Sequence, residues 1–209
     1  MKHIYPDQVG KHNLIQLIQE FVYEQQHPGS STRNMPNLPP FYTIITIHTT
    51  AIATFHAPSD LSGIGGMKCE HIHAVSHWRR GPGHYDTLFI NAPADNVDDN
   101  AEDLSACGIW GLEVACAHLF FSFTLNGVTY PCALVHLFSH MTDMPNDITG
   151  MYTAKPDYLP NGKPTTAVVH LDTVFRAAHL LPVFSNHPVL SKDQRHEQML
   201  DLFSEFYVN

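Results

Sequence analysis

Sixteen histidines stand in this chain of 209 residues, and three metal-capable side chains recur at alternate positions in Cys69-x-His71-x-His73. On a β-strand, alternate residues share one face at about 6.5–7 Å per step. Thiolate and imidazole are donors that suit zinc, so this run could hold an ion with His77 or His84 completing the set. Spacing argues the other way, because structural zinc sites usually draw on turns such as C-x2-C or on helical H-x3-H pairs. A second set, Cys116, His118, Cys132 and His136, falls on the two arms of one hairpin. Counting outward from Asn126-Gly127 puts Phe123 near Tyr130, Phe121 near Cys132 and Cys116 near the rung of His136. Ordinary core residues would stand in the same places.

Other chemistries are less well served. Ser59-Asp60 and the later histidines hold the residue types of a catalytic triad, but no G-x-S-x-G elbow occurs. Gly63-Ile64-Gly65-Gly66 lacks the GK[ST] of a phosphate loop, and a strand-like run follows it rather than a helix. Asp95, Asp98 and Asp99 do not meet the spacing of a calcium loop. They read as an exposed acidic loop from Asn91 to Asp103, because a core cannot hold that density of like charge. The better binding candidate is a basic and aromatic patch. Lys68, Arg79 and Arg80 stand with Trp78 and with His71, His73, His77 and His84 in a stretch containing one acid, Glu70. Arginines of such a turn could contact phosphates while Trp78 stacks on a base. Alternatively the turn is merely solvated and Trp78 packs inward.

The elements that must position these residues are mostly strands. Asn-Gly between runs rich in aromatic and β-branched residues is a strong hairpin signal, and it centres the stretch from Leu104 to Leu137. Tyr42 to Phe55 predicts one or two strands, Lys68 to Trp78 another by its alternation, and Tyr85 to Ile90 a further one after the Arg79–His84 turn. The glycines of the loop from Ala57 to Met67 mark tight or left-handed backbone. Met151 to Ala154, Thr166 to Leu171 and Leu180 to Phe184 complete the strands, with a helical turn over Asp172–His179. Leu14, Leu17, Ile18 and Phe21 form the stripe of an amphipathic helix from Asn13 to Gln26, stopped by His27-Pro28-Gly29. A second helix is predicted from Ser191, burying Met199, Leu202, Phe203 and Phe206. The fold class is mainly β: a small antiparallel β-barrel with an amphipathic helix at each end. Residues 1–40 form a helical arm and Pro-rich linker, 41–184 the barrel, and 185–209 a C-terminal helix packed on it. The first helix would pack on that body or on a missing partner.

Composition narrows the function classes. Apolar residues make up 44%, enough for a core, whereas charged residues are only 15% and the formal charge is −9. A general basic coat for nucleic acid is therefore absent, and DNA contact would need a local patch. Cys69, Cys107, Cys116 and Cys132 include no C-x2-C pair and no signal peptide opens the chain, so thiols in a reducing compartment are expected. No apolar run approaches the ~20 residues of a membrane span. The expectation is a protein of the nucleus, or otherwise the cytosol, and not a secreted one.

Several segments carry a resemblance. PPF at Pro39, ATFHAPSDLSGIGGM from Ala53, HWRRGPGHYDTLFIN from His77 and GLEVACAHLFFSF from Gly111 are distinctive. So are GVTYPCALVHLFS from Gly127, TGMY from Thr149, VVHLDTVFRAAHLLPVF from Val168 and the closing FYVN. In this order and spacing the chain resembles the C-terminal region of proteins encoded by Plavaka-type transposable elements of mushroom-forming fungi, relatives of the CACTA superfamily. The resemblance implies a transposase core lying upstream, with nothing here corresponding to its metal-holding acids. The chain departs from the family pattern at Lys68-Cys69-Glu70, where Arg-Arg-Glu usually follows GGM. It departs again at Cys116, a common Arg position, and at Leu137, a common Trp position, and the family usually runs on past FYVN. The layout is also similar to the BAH domain, a small chromatin-protein barrel, which implies an aromatic cage from Tyr85, Trp110 and Tyr152. The leading expectation is a non-catalytic, transposon-derived module contacting protein, chromatin or DNA, with no cofactor. Its alternatives are a metal-dependent hydrolase or nuclease using zinc on the Cys69-His71-His73 strand, and a purely structural remnant.

Overall fold

A computed structural model describes residues 2–11, 13–27, 38–57, 64–91, 111–139, 144–184 and 199–208. Its organising element is the expected hairpin: β7 (Leu112–Leu125) and β8 (Val128–Leu137) joined by Asn126 and Gly127. Both turn residues are left-handed, at φ 52° and 80°, the conformation whose twist matches that of paired strands. From the turn to Leu119 the register is the one counted from the sequence, with Phe123 opposite Tyr130 and Phe121 opposite Cys132; a bulge before Leu119 then shifts it by one residue, which puts Cys116 opposite His136 rather than Leu137.

With its fourteen residues, β7 is long enough for one edge to serve two neighbours. β2 (Ile45–His48) pairs with its Phe120–Ser122 end, and β6 (Thr87–Asn91) with its Leu112–Cys116 end. β1 (Lys2–Ile4) extends the sheet beyond β2, β11 (Val174–Ala177) beyond β6, and β10 (Thr166–His170) beyond β8. Two three-stranded sheets accompany this seven-stranded one. The first is β3 (Thr50–His56), β4 (Met67–Val75) and β5 (His84–Tyr85); the second is β12 (Leu180–Pro182), β13 (Phe206–Val208) and β9 (Tyr152–Ala154).

Both faces of the central sheet are covered. Leu119, Phe121, Phe123, Cys132 and Leu134 face Leu14, Ile18, Phe21 and Val22 of α1 (Leu14–Gln26), so the first helix packs on the body. Farther along, Val114, Cys116 and Phe89 meet Phe206 and Val208. On the opposite face Ala115, Ala117, Phe120 and Val135 meet Ile72 and Ala74 of β4. Each phenylalanine so buried stabilises the fold by about 1.5–3 kcal/mol. The aromatic and aliphatic residues flanking the turn thus fill the core: Phe120, Phe121, Phe123, Leu134 and Phe138 are all buried, and Tyr130 is partly so.

Four expectations need correction. Among the described residues the sheet does not close into a barrel: its outer strands β1, β10 and β11 are not joined to one another, and β3–β5 form a separate sheet. Among the described residues the second amphipathic helix is represented by a single turn, α2 (Met199–Leu202), and Phe206 lies on a strand, buried with Val208 on the same side. Alternation at period two, with two partner strands available, outweighs the helical spacing that Phe206 would have continued. Ser191 itself, like the acidic loop from Ala92 onward, lies outside the described residues. The helical turn expected over 172–179 is confined to Leu171–Thr173, since Val174 and its successors pair with β6. Last, Tyr85 to Ile90 is two strands rather than one. Among the described residues no helix is long and apolar enough to cross a membrane.

Candidate functional site

β4 alternates as its sequence requires. Ile72 and Ala74 are buried against the central sheet, which turns Cys69, His71 and His73 to the other side. After Val75 the chain reverses through Trp78-Arg79-Arg80-Gly81. The Gly81 N–H donates to the Trp78 carbonyl at 2.7 Å, and the Trp78 N–H to the Pro82 carbonyl at 2.9 Å. Arg79 and Arg80 both take left-handed backbone, at φ 46° and 67°. Positions of this kind normally go to Gly, Asn or Asp, and a non-glycine residue there costs on the order of 1 kcal/mol or more. Gly83 brings the chain back: a Cβ there would stand 2.7 Å from the Tyr85 ring and 3.0 Å from the Val75 carbonyl. That close approach lets His84 pair with Val75 and Tyr85 with Ala74.

Asp86 follows as the corner. Its carbonyl accepts from Ala117 N–H of β7 at 2.9 Å, while its own N–H donates back to the His73 carbonyl at 3.0 Å. Its carboxylate gathers the neighbouring groups. The His73 backbone N–H donates to Oδ2 at 2.7 Å and His73 Nδ1 to the same oxygen at 3.0 Å; His84 Nε2 approaches Oδ1 at 2.9 Å. The Trp78 ring walls the group, edge-on to His73 at 4.6 Å and stacked on His84 at 5.3 Å, with the Arg79 guanidinium 5.3 Å from the indole.

His73, His84 and Asp86 line one side of a cleft of about 980 Å³ that continues to Tyr85, Cys116, His118, His136 and Tyr158. His118 is the extra residue of a β-bulge in β7, which is how it joins the face already carrying Cys116 and Leu119. Burial, then the nearby Lys11 and His136, hold its imidazole down to about 4, so it is neutral at physiological pH. Burial likewise lowers the Lys11 amine and raises the Tyr85 phenol, and the Lys11 ammonium sits 5.4 Å from the Tyr85 ring centre. His136 Nε2 donates to the Asp157 carbonyl at 2.8 Å.

Of the residues singled out from sequence, His73, Trp78, Arg79 and His84 come together, with Arg80 exposed beside them. Lys68 lies at the far end of β4, opposite Phe55. Cys69, His71 and His73 do not converge. Cys69 is exposed with its sulfur 3.5 Å from Thr54 Oγ1, and His71 is exposed opposite Ile52. Steps of about 6.5–7 Å along a strand are too long for three donors to meet one ion directly. Tyr85 and Tyr152 both pack at the rim of the apolar cluster around Phe206, and Trp110 lies outside the described residues. The residue that reading by sequence missed is Asp86. Its signal was an acid inside a strand-like run, where Asp is disfavoured, and it is the lone acid between Glu70 and Asp95. No protein-family model, no curated protein and no solved structure matches the chain.

Proposed function

We propose that this chain is a non-catalytic, transposon-derived module that makes DNA contact for a transposase-like protein, acting in the nucleus beside the upstream transposase region of the same element. One observation carries the reading. Two exposed arginines occupy both left-handed positions of a single tight turn, with the Trp78 ring against the guanidinium of Arg79. Such strain persists where the surroundings over-determine it, and such places are often binding sites. Two exposed guanidiniums on one turn can each meet a phosphate, and the indole beside Arg79 can stack on a base. In a chain of formal charge −9, a local patch of this kind is the form that DNA contact has to take.

The test is fluorescence anisotropy of short duplexes at low and moderate salt. Binding should weaken as salt rises, and Arg79→Ala with Arg80→Ala should reduce the log–log salt slope by about 2, one phosphate contact each. Binding that ignores both salt and the double substitution would remove the reading and leave a purely structural domain or a protein-contact module. Contact with a chromatin protein through Tyr85 and Tyr152 has no comparable support, because both rings pack against the apolar cluster.

A further inference from the structure

We propose that His73, His84 and Asp86 form a binding site for a divalent first-row transition ion of the zinc class, at the base of the Trp78–Gly81 turn. The site is independent of the DNA reading. Its three donor atoms all lie within 4.8 Å of one another. An ion bonded at 2.0–2.1 Å in tetrahedral geometry wants its donors about 3.3 Å apart. His73 Nδ1 stands 3.0 Å from Oδ2 and His84 Nε2 2.9 Å from Oδ1, two oxygens of one carboxylate, so closing on a single ion draws no pair of donors together by more than about 1.5 Å.

Two imidazole nitrogens and one carboxylate oxygen are a donor set for zinc or its neighbours rather than for calcium or magnesium, which prefer oxygen alone. Three protein ligands leave a coordination position open, as in zinc sites that exchange a water or substrate. The donors are held in place before any ion arrives. The His73 N–H binds Asp86 Oδ2, strand pairing fixes His84 beside Val75, and Trp78 packs on both rings. This is the support that orients ligands in metal sites. Access is open as well, with side-chain exposures of 20% for His73, 42% for His84 and 26% for Asp86.

Proton accounting is consistent with this role. An ionised carboxylate only accepts, so each imidazole presents an N–H to Asp86 in the ion-free site. An ion takes those same nitrogens as lone pairs, which moves the protons of the neutral rings to His73 Nε2 and His84 Nδ1. The two N–H···O contacts are exchanged for two coordinate bonds and the Asp86 bond, and β4, β5 and the corner become tied through one centre.

The experiment uses the full chain without a histidine tag, stripped with chelator and titrated with zinc against a chromophoric competitor. Cobalt(II) absorption reports the coordination geometry in parallel. The expected result is one strong zinc equivalent, a raised melting temperature, and at least tenfold weaker binding in His84→Ala and in Asp86→Asn. Asp86→Asn risks the corner itself, whereas the half-exposed His84→Ala leaves the fold intact by circular dichroism. Cys69→Ala and His71→Ala should keep full affinity. Failure to bind one equivalent, or affinity unchanged in His84→Ala, would overturn the site. Loss of binding in Cys69→Ala would overturn it equally, by moving the ion to the exposed strand face.

Discussion

Two tight turns in this molecule take the same backbone shape from opposite kinds of residue. Asn126 and Gly127 turn at φ 52° and 80°, Arg79 and Arg80 at φ 46° and 67°. Asn and Gly enter the left-handed region at little cost; arginine does not. The first turn closes a ladder whose strands bury Phe120, Phe121 and Phe123, so local preference and global packing agree. The second is held by its neighbours: the Trp78–Pro82 and Gly81–Trp78 hydrogen bonds, the close pass at Gly83 and the Trp78–His84 stack. A turn that only had to reverse the chain would fare better with Asn-Gly. Placing two cations there instead carries a local backbone cost that the proposed DNA contact would explain.

The contrast can be tested by experiments of decreasing effect. Phe121→Ala, beneath the relaxed hairpin, should cost about 3–5 kcal/mol in urea unfolding. A loss under 1 kcal/mol would mean that the hairpin is not the stabilising centre. Acid should also act on the hairpin side. His118 is held down to about 4 in the fold against 6.5 for an ordinary imidazole, so between those values the unfolded chain binds the extra proton. Stability therefore falls as pH drops below 6.5 and reaches its full loss, up to about 3 kcal/mol, near pH 4. His118→Asn should flatten the profile across that window, and parallel profiles for the two proteins would refute the assignment. Smallest is the exchange of turn residues. Arg79→Asn with Arg80→Gly should raise stability by about 1–2 kcal/mol and weaken duplex binding, whereas Asn126→Arg with Gly127→Arg should lower it by a similar amount without creating a DNA site. If relaxing the arginine turn leaves binding untouched, its strain has no tie to function.

Much of the fold was legible because its rules are local. The first helix is written in the spacing of Leu14, Ile18 and Phe21, and it forms over Leu14–Gln26. Strand alternation put Cys69, His71 and His73 on one face of β4, and only the structure shows that the face of Ile72 and Ala74 is the buried one. The candidate site was half legible. Trp78, Arg79 and His84 are neighbours in sequence, whereas His73 reaches them through antiparallel pairing. Asp86 looked like a mid-strand residue, because nothing within a few positions shows that the chain changes sheets there. The strand at Phe206–Val208 was hidden for the same reason: its partners are Leu180–Pro182 and Tyr152–Ala154, remote in sequence.

By itself, then, the amino-acid order determined that this protein is built mainly of strands, that Asn126-Gly127 closes a long hairpin, and that Phe123 stands opposite Tyr130 and Phe121 opposite Cys132. Backbone sterics and a two-residue repeat suffice for each of these. Only the tertiary structure decided that the sheets stay open, that His118 bulges into the cleft, and that Asp86 draws His73 and His84 around one carboxylate. Those outcomes depend on which distant strands pair, a choice made by burial over the whole chain rather than by any one stretch of it.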